Sequence, residues 1–201
     1  MPNTDTIKNP QPMPSRAFSC ILAVLLITGS AFRLAGQSQS PAKPEGSQPK
    51  IKWMSFTDAY NLNKKKPKLI FVDVYTDWCG WCKKMDATTF QHPEIVKYMN
   101  DHFYCVKLNA EMKDTVVIDG VTFTNPNPSG RATHQLAVDL LRGRMSYPSY
   151  VVLNDKSQLV NIIPGYRQAK EFEPVIHYYG EGAYKETSLD EFGKTFKGKV
   201  E

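Results

Sequence analysis

Residues 72–83 read Val72-Asp73-Val74-Tyr75-Thr76-Asp77-Trp78-Cys79-Gly80-Trp81-Cys82-Lys83, and this stretch decides the fold. Its first half closes the run Leu69–Tyr75, apolar and rich in β-formers with only Asp73 interrupting it, a composition that suits a strand buried on both faces. Its second half sets Cys79 and Cys82 where that pattern gives way to helical character over Gly80–Phe90. A disulfide between residues so close in sequence closes almost no loop. It removes little entropy from the unfolded chain and is a poor staple. Chemistry explains the pair better. Thiol–disulfide exchange needs an exposed thiolate to attack and a second thiol near enough to release the mixed disulfide. At the start of a helix, unpaired N–H groups and the helix dipole favour negative charge on Cys79. Cys82, one turn later, is expected to be more buried and to act second. Lys83 and Lys84 lie in the same turn.

A closed zinc site is the competing use of such a pair, but it needs four ligands. The chain has no second Cys-x-x-Cys, and Cys105, His92, His102, His134 and His177 are scattered without ligand spacing. No metal is expected. The other two cysteines are Cys105, mid-strand and expected to be a buried inert thiol, and Cys20, close to the N-terminus.

Working outward, Phe56–Leu62 reads as a short helix capped by Ser55 or Thr57, and Pro93 opens another through Met99. Phe103–Leu108 reads as a strand. Val116–Phe123 carries Asp119-Gly120 at its centre, the dipeptide of a tight hairpin. The apolar stripe Ala132, Leu136, Ala137, Leu140 and Leu141 predicts a helix ended by Gly143. Tyr150–Leu153 and Leu159–Ile163 are strands joined by residues 154–157. Phe172, Val175, Ile176 and Tyr179 mark a further helix, in which Pro174 must sit in the first turn or kink the chain. Ser188-Leu189-Asp190-Glu191 has the pattern of a capping box opening a last helix.

The 201 residues, 41% hydrophobic, suffice for one folded domain of ordinary size. The net charge of +5 is spread out, without the concentrated basic stripe of a nucleic-acid binder. Residues 1–36 run from a polar segment with Lys8 and Arg16 through the apolar stretch Ala17–Phe32 to Ala35 and Gly36, the order of a secretory signal peptide. Cleavage near Gly36 or Gln37 would discard Cys20, and the alternative is an uncleaved anchor. Residues 37–50, polar and rich in proline, read as a flexible linker, which leaves 51–201 as the folded domain.

These features together resemble the thioredoxin superfamily over about Trp53 to Tyr179. Residues 72–83 are similar to its strand and active-site segment, Val106-Lys107-Leu108-Asn109 to its following strand, Tyr147-Pro148-Ser149 to its cis-proline loop, and Gly165 to the glycine after its last hairpin. The lead-in Lys66–Val72 and the segment Phe90–Val96 look most like exported bacterial members. The resemblance implies an α/β thioredoxin fold, a central mixed β-sheet flanked by helices. The connection from Asn109 to Tyr147 is longer than the family core needs, so residues 110–131 form a hairpin-containing insertion, and an extra helix follows at the C-terminus.

The resemblance also implies roles. Cys79 is the nucleophile and Cys82 the resolving thiol. Asp73 is a buried acid whose pKa is raised by desolvation so that it takes a proton from Cys82, with Lys107 as its modulator. Pro148 is cis and holds the Tyr147 backbone beside the sulfurs to pair with a substrate strand. Trp78, Gly80 and Trp81 complete the substrate-binding surface. The expected activity is that of a thiol:disulfide oxidoreductase, a reductase of protein disulfides with no cofactor beyond the Cys79–Cys82 pair. It would work as an exported, periplasmic monomer rereduced by a membrane-bound donor. Gly80-Trp81 departs from the Gly-Pro of reducing thioredoxins and the Pro-His of strong oxidants, which leaves the direction of electron flow open. A non-catalytic metal- or partner-binding protein and a disulfide isomerase are the alternatives.

Overall fold

A computed structural model describes residues 49–201. The expected signal peptide or anchor, Cys20 and nearly all of the linker lie outside the described residues. Among the described residues, no helix is long and apolar enough to cross a membrane.

The chain runs β1 (Trp53–Met54), α1 (Phe56–Lys65), β2 (Leu69–Tyr75), α2 (Gly80–Ala87), α3 (Pro93–His102) and β3 (Phe103–Asn109). It continues through β4 (Val116–Ile118), β5 (Val121–Phe123), α4 (Gln135–Leu140), β6 (Ser149–Leu153), β7 (Leu159–Pro164), α5 (Ala169–Gly180) and α6 (Leu189–Thr195). Five strands form one mixed sheet in the order β1-β3-β2-β6-β7, and β4 pairs with β5 as a separate hairpin. In the five-stranded sheet β2 is central, parallel to β3 and antiparallel to β6.

Alternation along β2 explains its composition. Ile70, Val72 and Val74 join a core with Val106, Leu136, Leu141 and Val151 on the face covered by α1 and α4. Phe71 points the other way, into a core with Phe90, Ile95, Met99, Tyr150, Phe172 and Ile176 beneath α2, α3 and α5. Phe71 meets Phe103, Tyr150 and Phe172 at ring separations of 5.9, 5.5 and 5.8 Å. Full burial of such a ring contributes about 1.5–3 kcal/mol. Asp73 shares this face by parity, so a carboxylate lies where the pattern otherwise demands an apolar side chain.

Several elements differ from the sequence expectations. Helix α1 runs three residues beyond Leu62, with Ser55 as its cap: the Ser55 hydroxyl accepts from the Asp58 N–H at 3.1 Å. The Gly80–Phe90 segment splits, because α2 ends at Ala87 and Thr89–Gln91 form a single 3-10 turn. Helix α4 begins at Gln135 rather than Ala132, since the buried His134 caps it: Nδ1 accepts from Leu136 N–H at 3.1 Å, and Nε2 lies 3.0 Å from the Asp114 carbonyl. Pro174 sits in the second turn of α5, where it leaves the Lys170 carbonyl without its helical donor. The reciprocal capping box belongs to Gln168 and Glu171 at the start of α5, whereas α6 has only the arm from the Ser188 hydroxyl to the Glu191 N–H. The Asp119-Gly120 hairpin forms as expected, with both residues at positive φ (48° and 80°).

After α6 the chain folds back onto α5. The carboxylate of Glu173, only 3% exposed, accepts from the backbone N–H groups of Lys199 (2.7 Å) and Val200 (3.0 Å).

Candidate active site

The site lies where β2 passes into α2. Chain direction reverses over Thr76–Cys79, closed by the Cys79 N–H donating to the Thr76 carbonyl at 3.1 Å. Cys79 is the N-cap of α2, and its Sγ accepts from the Cys82 N–H at 3.0 Å. A sulfur so placed faces the open N–H end of the helix, where negative charge is stabilised. Cys79 and Cys82 are joined as a disulfide with Cα atoms 5.3 Å apart. In this oxidised state Cys79 is 5% exposed and Cys82 2%. The expected order of burial is present, but the expected exposure of Cys79 is not. The exposed groups are its neighbours Trp78 (55%) and Trp81 (57%).

Each indole is held from a different side. Trp78 donates from Nε1 to Glu111 Oε1 at 3.0 Å and meets the Tyr147 ring edge-on at 6.0 Å. Glu111 is fixed in turn by its N–H bond to Asn109 Oδ1 (2.9 Å), and Asn109 donates from Nδ2 to Asp77 Oδ2 (3.1 Å). The first residues of the insertion therefore wall one side of the disulfide. The insertion is closed at its base by the bond from His134 N–H to the Ala110 carbonyl (2.7 Å). Within it, the Asn125 amide donates to the Met112 (3.1 Å) and Ala132 (2.8 Å) carbonyls. On the other side, Trp81 lies 5.2 Å from the Tyr166 ring, and Lys84 Nζ sits over both rings at 5.1 and 5.3 Å. Gly80, between the cysteines, has no atom within 4 Å of the position a Cβ would take.

The Tyr147–Pro148 bond is cis. Pro148 is tied to the loop after β7, since its carbonyl accepts from the Gly165 N–H at 2.8 Å, and Gly165 holds a φ of 92° that a side chain would strain. Tyr147, Pro148, Gly165 and Tyr166 thus form one connected ridge.

A buried charged cluster ties β2 to α2, the helix that carries Cys82. Asp73 is 1% exposed, with Lys107 opposite it on β3. Lys107 Nζ donates to Asp73 Oδ2 at 2.5 Å and also to Asp86 Oδ1 of α2. The same ammonium lies over the rings of Tyr75 (4.8 Å), Trp53 (5.2 Å) and Phe90 (5.5 Å). Burial raises the Asp73 pKa to about 6, outweighing the opposing attraction of Lys107. Lys107 is raised: burial works against its charge, but the two carboxylates prevail. Asp73 Oδ1 has no hydrogen-bond partner among the described residues. Cys105, facing the same core one alternation earlier on β3, is a free buried thiol that burial pushes up to about 12.

The structure therefore brings together Cys79, Cys82, Asp73, Lys107, Trp78, Gly80, Trp81, Tyr147 and Pro148 at one end of the sheet. Sequence reasoning missed Asp86, Glu111, Lys84 as a cation over two rings, and Tyr166. Asp86 had a signal, since it follows Cys82 by four residues and so shares its helix face. Glu111 had none.

The arrangement of sheet, helix and loops also matches known folds. A thioredoxin from Thermus thermophilus, 17% identical, superposes with a TM-score of 0.50 over 68% of this chain and 93% of that one. The chain has the thioredoxin fold. Residues 33–127, somewhat under half of the chain, match the family model Thioredox_DsbH, described as a protein of unknown function, DUF255. A stretch of 73 residues is 34% identical to spermatogenesis-associated protein 20 of Mus musculus, covering 36% of this chain and 9% of that protein. Over 97 residues the chain is 26% identical to the disulfide bond reductase DsbH of Chlamydia pneumoniae, covering 47% of this chain and 57% of that protein. The chain thus matches a small part of the first relative and somewhat over half of the second.

Proposed function

We propose that this protein is a thiol:disulfide oxidoreductase that reduces protein disulfides. The observation that carries this reading is a disulfide at a helix N-terminus, set beside a cis-proline loop, on a helix tied through Lys107 to a buried acid. In the reduced protein, the Cys79 thiolate attacks a substrate disulfide, forms a mixed disulfide and releases the first substrate thiolate. Cys82 then gives its proton to ionised Asp73 as its sulfur attacks Cys79 Sγ. That step closes the Cys79–Cys82 bond and releases the second thiolate. Two electrons have passed to the substrate. Trp78 and Trp81 offer apolar surface for a partner protein on either side of the attacked bond, and Tyr147 offers backbone for an extended substrate segment.

The reducing direction draws support from the chlamydial relative, named as a disulfide bond reductase. An exported location follows from the reading of residues 1–36, and catalytic turnover there requires a dithiol donor, for which a membrane-bound protein is the natural source. Trapping with Cys82→Ser tests the mechanism. A mixed disulfide should accumulate on Cys79 and dissolve on adding a small thiol. Recovery of no disulfide-linked partner, with Cys79→Ser reducing an insulin disulfide as fast as the parent, would overturn it.

A further inference from the structure

Among the described residues, Asp73 Oδ1 and the Tyr150 hydroxyl are both buried and both lack a hydrogen-bond partner. The two residues are direct cross-strand partners on β2 and β6, so their side chains leave the same face of the sheet. Tyr150 is 0% exposed. A buried hydroxyl without a partner destabilises the fold, and a phenylalanine would fill the same space at no such cost. Its ring is fixed by Phe71 (5.5 Å), Phe172 (5.5 Å) and Phe90 (6.2 Å), so the hydroxyl cannot swing out to solvent.

We infer that Tyr150 is a positioning residue for Asp73, its hydroxyl donating to Oδ1, directly or through one bound water, whenever that carboxylate is ionised. The inference rests on the proposed exchange reaction, in which ionised Asp73 is the base for Cys82. The two oxygens of the carboxylate then have separate partners. Lys107 holds Oδ2 in both protonation states, and Tyr150 serves Oδ1 in the charged one. The other charges reaching this place are Lys107 from β3, Asp86 from α2 and Arg167 from the loop after β7, with Tyr166 beside it. Of these groups, Lys107 is already committed to Oδ2 and Asp86, and Arg167 donates to the Pro164 and Gly165 carbonyls. Tyr150 is left as the donor for Oδ1. Its placement beside Ser149 and Pro148 on β6 also links the acid mechanically to the substrate loop.

Tyr150→Phe keeps the ring and removes only the hydroxyl. Titration of the Asp73 carboxyl carbon by NMR in the oxidised protein should show the midpoint moving up by about one pH unit, the size expected for one hydrogen bond to a charged group. The acid limb of the disulfide-reduction profile should move up with it, slowing the reaction up to about tenfold on that limb. In an Asp73→Asn background, Tyr150→Phe should leave the profile unchanged. Melting temperature gives a second arm: the substitution should destabilise above pH 7 relative to pH 4. Superimposable titrations, a downward shift, or a melting temperature raised equally at both pH values would overturn the inference. A parent protein that reduces no disulfide would instead overturn the exchange reaction, while the NMR titration would still decide whether Tyr150 serves Asp73.

Discussion

The cysteines of the folded domain sit in two kinds of surroundings, and the contrast shows what makes a sulfur reactive here. Cys105 lies mid-strand in β3, 1% exposed, with weak contacts to the Met99 and Phe103 carbonyls at 3.6 and 4.0 Å. Burial alone holds its pKa near 12. Cys79 is almost as buried, at 5%, yet it faces the N–H groups of α2, a helix tied through Lys107 to the buried Asp73, and the exposed indoles of Trp78 and Trp81 flank it. Burial does not separate the two. What differs is whether the surroundings stabilise a thiolate and leave a path for a partner.

The largest effect expected from breaking this contrast is on Cys79. Cys79→Ser should abolish disulfide reduction, a loss of at least about a thousandfold, since no other sulfur can form the mixed disulfide. Cys105→Ala should leave the rate intact in the same assay.

Asp73→Asn comes next. Losing the base for Cys82 should slow resolution of the mixed disulfide about 10- to 100-fold near neutral pH and remove the limb of the pH profile near 6. Stability should move the opposite way. The folded pKa of Asp73 lies above its unfolded value, so its favourable contribution is complete below about pH 4 and is lost as pH rises through about 6. Above pH 7 the parent carries the full penalty of a buried carboxylate, and Asp73→Asn should gain about 2 kcal/mol there, with Lys107 still paired to Asp86. Urea unfolding at pH 8 and pH 4 would test both the sign and the window.

Glu111→Ala releases Trp78 without touching the sulfurs. A KM for a protein substrate raised several-fold, with resolution of the mixed disulfide unchanged, would mark the insertion as part of the docking surface, and an unchanged KM would assign the wall a structural role. The smallest effect concerns labelling of the reduced, folded protein. Iodoacetamide at pH 8 should modify Cys79 within minutes and leave Cys105 untouched, as peptide mass spectrometry would show. Labelling of both at similar rates would erase the distinction between the two environments.

The sheet was legible because each of its main strands carries its own signal. β2 runs over the expected Leu69–Tyr75, and β3, β6 and β7 each extend their expected runs by one residue. Helix ends were less legible. The α4 stripe includes Ala132, but His134 finds two partners as a cap, and that local hydrogen bonding stops the helix short of the apolar pattern. In the site, the Cys79–Cys82 spacing and the lone acid in β2 were visible in the chain itself. The Lys107 bridge to Asp86 and the hold of Glu111 on Trp78 depend on contacts 21 and 33 residues apart, which no local pattern encodes.

The seating of the chain's end on Glu173 has a practical side. Gly198 packs so closely that a Cβ there would fall 2.2 Å from Glu173 Oε2, and Val200 is 7% exposed among the core residues beneath α5. Three residues without regular secondary structure therefore act as a plug for a carboxylate that would otherwise face a hydrophobic interior. Displacing residues 199 and 200 would strip that anion of both its donors. A proline at position 199 or 200, which has no N–H to give, would leave that buried charge with a single donor.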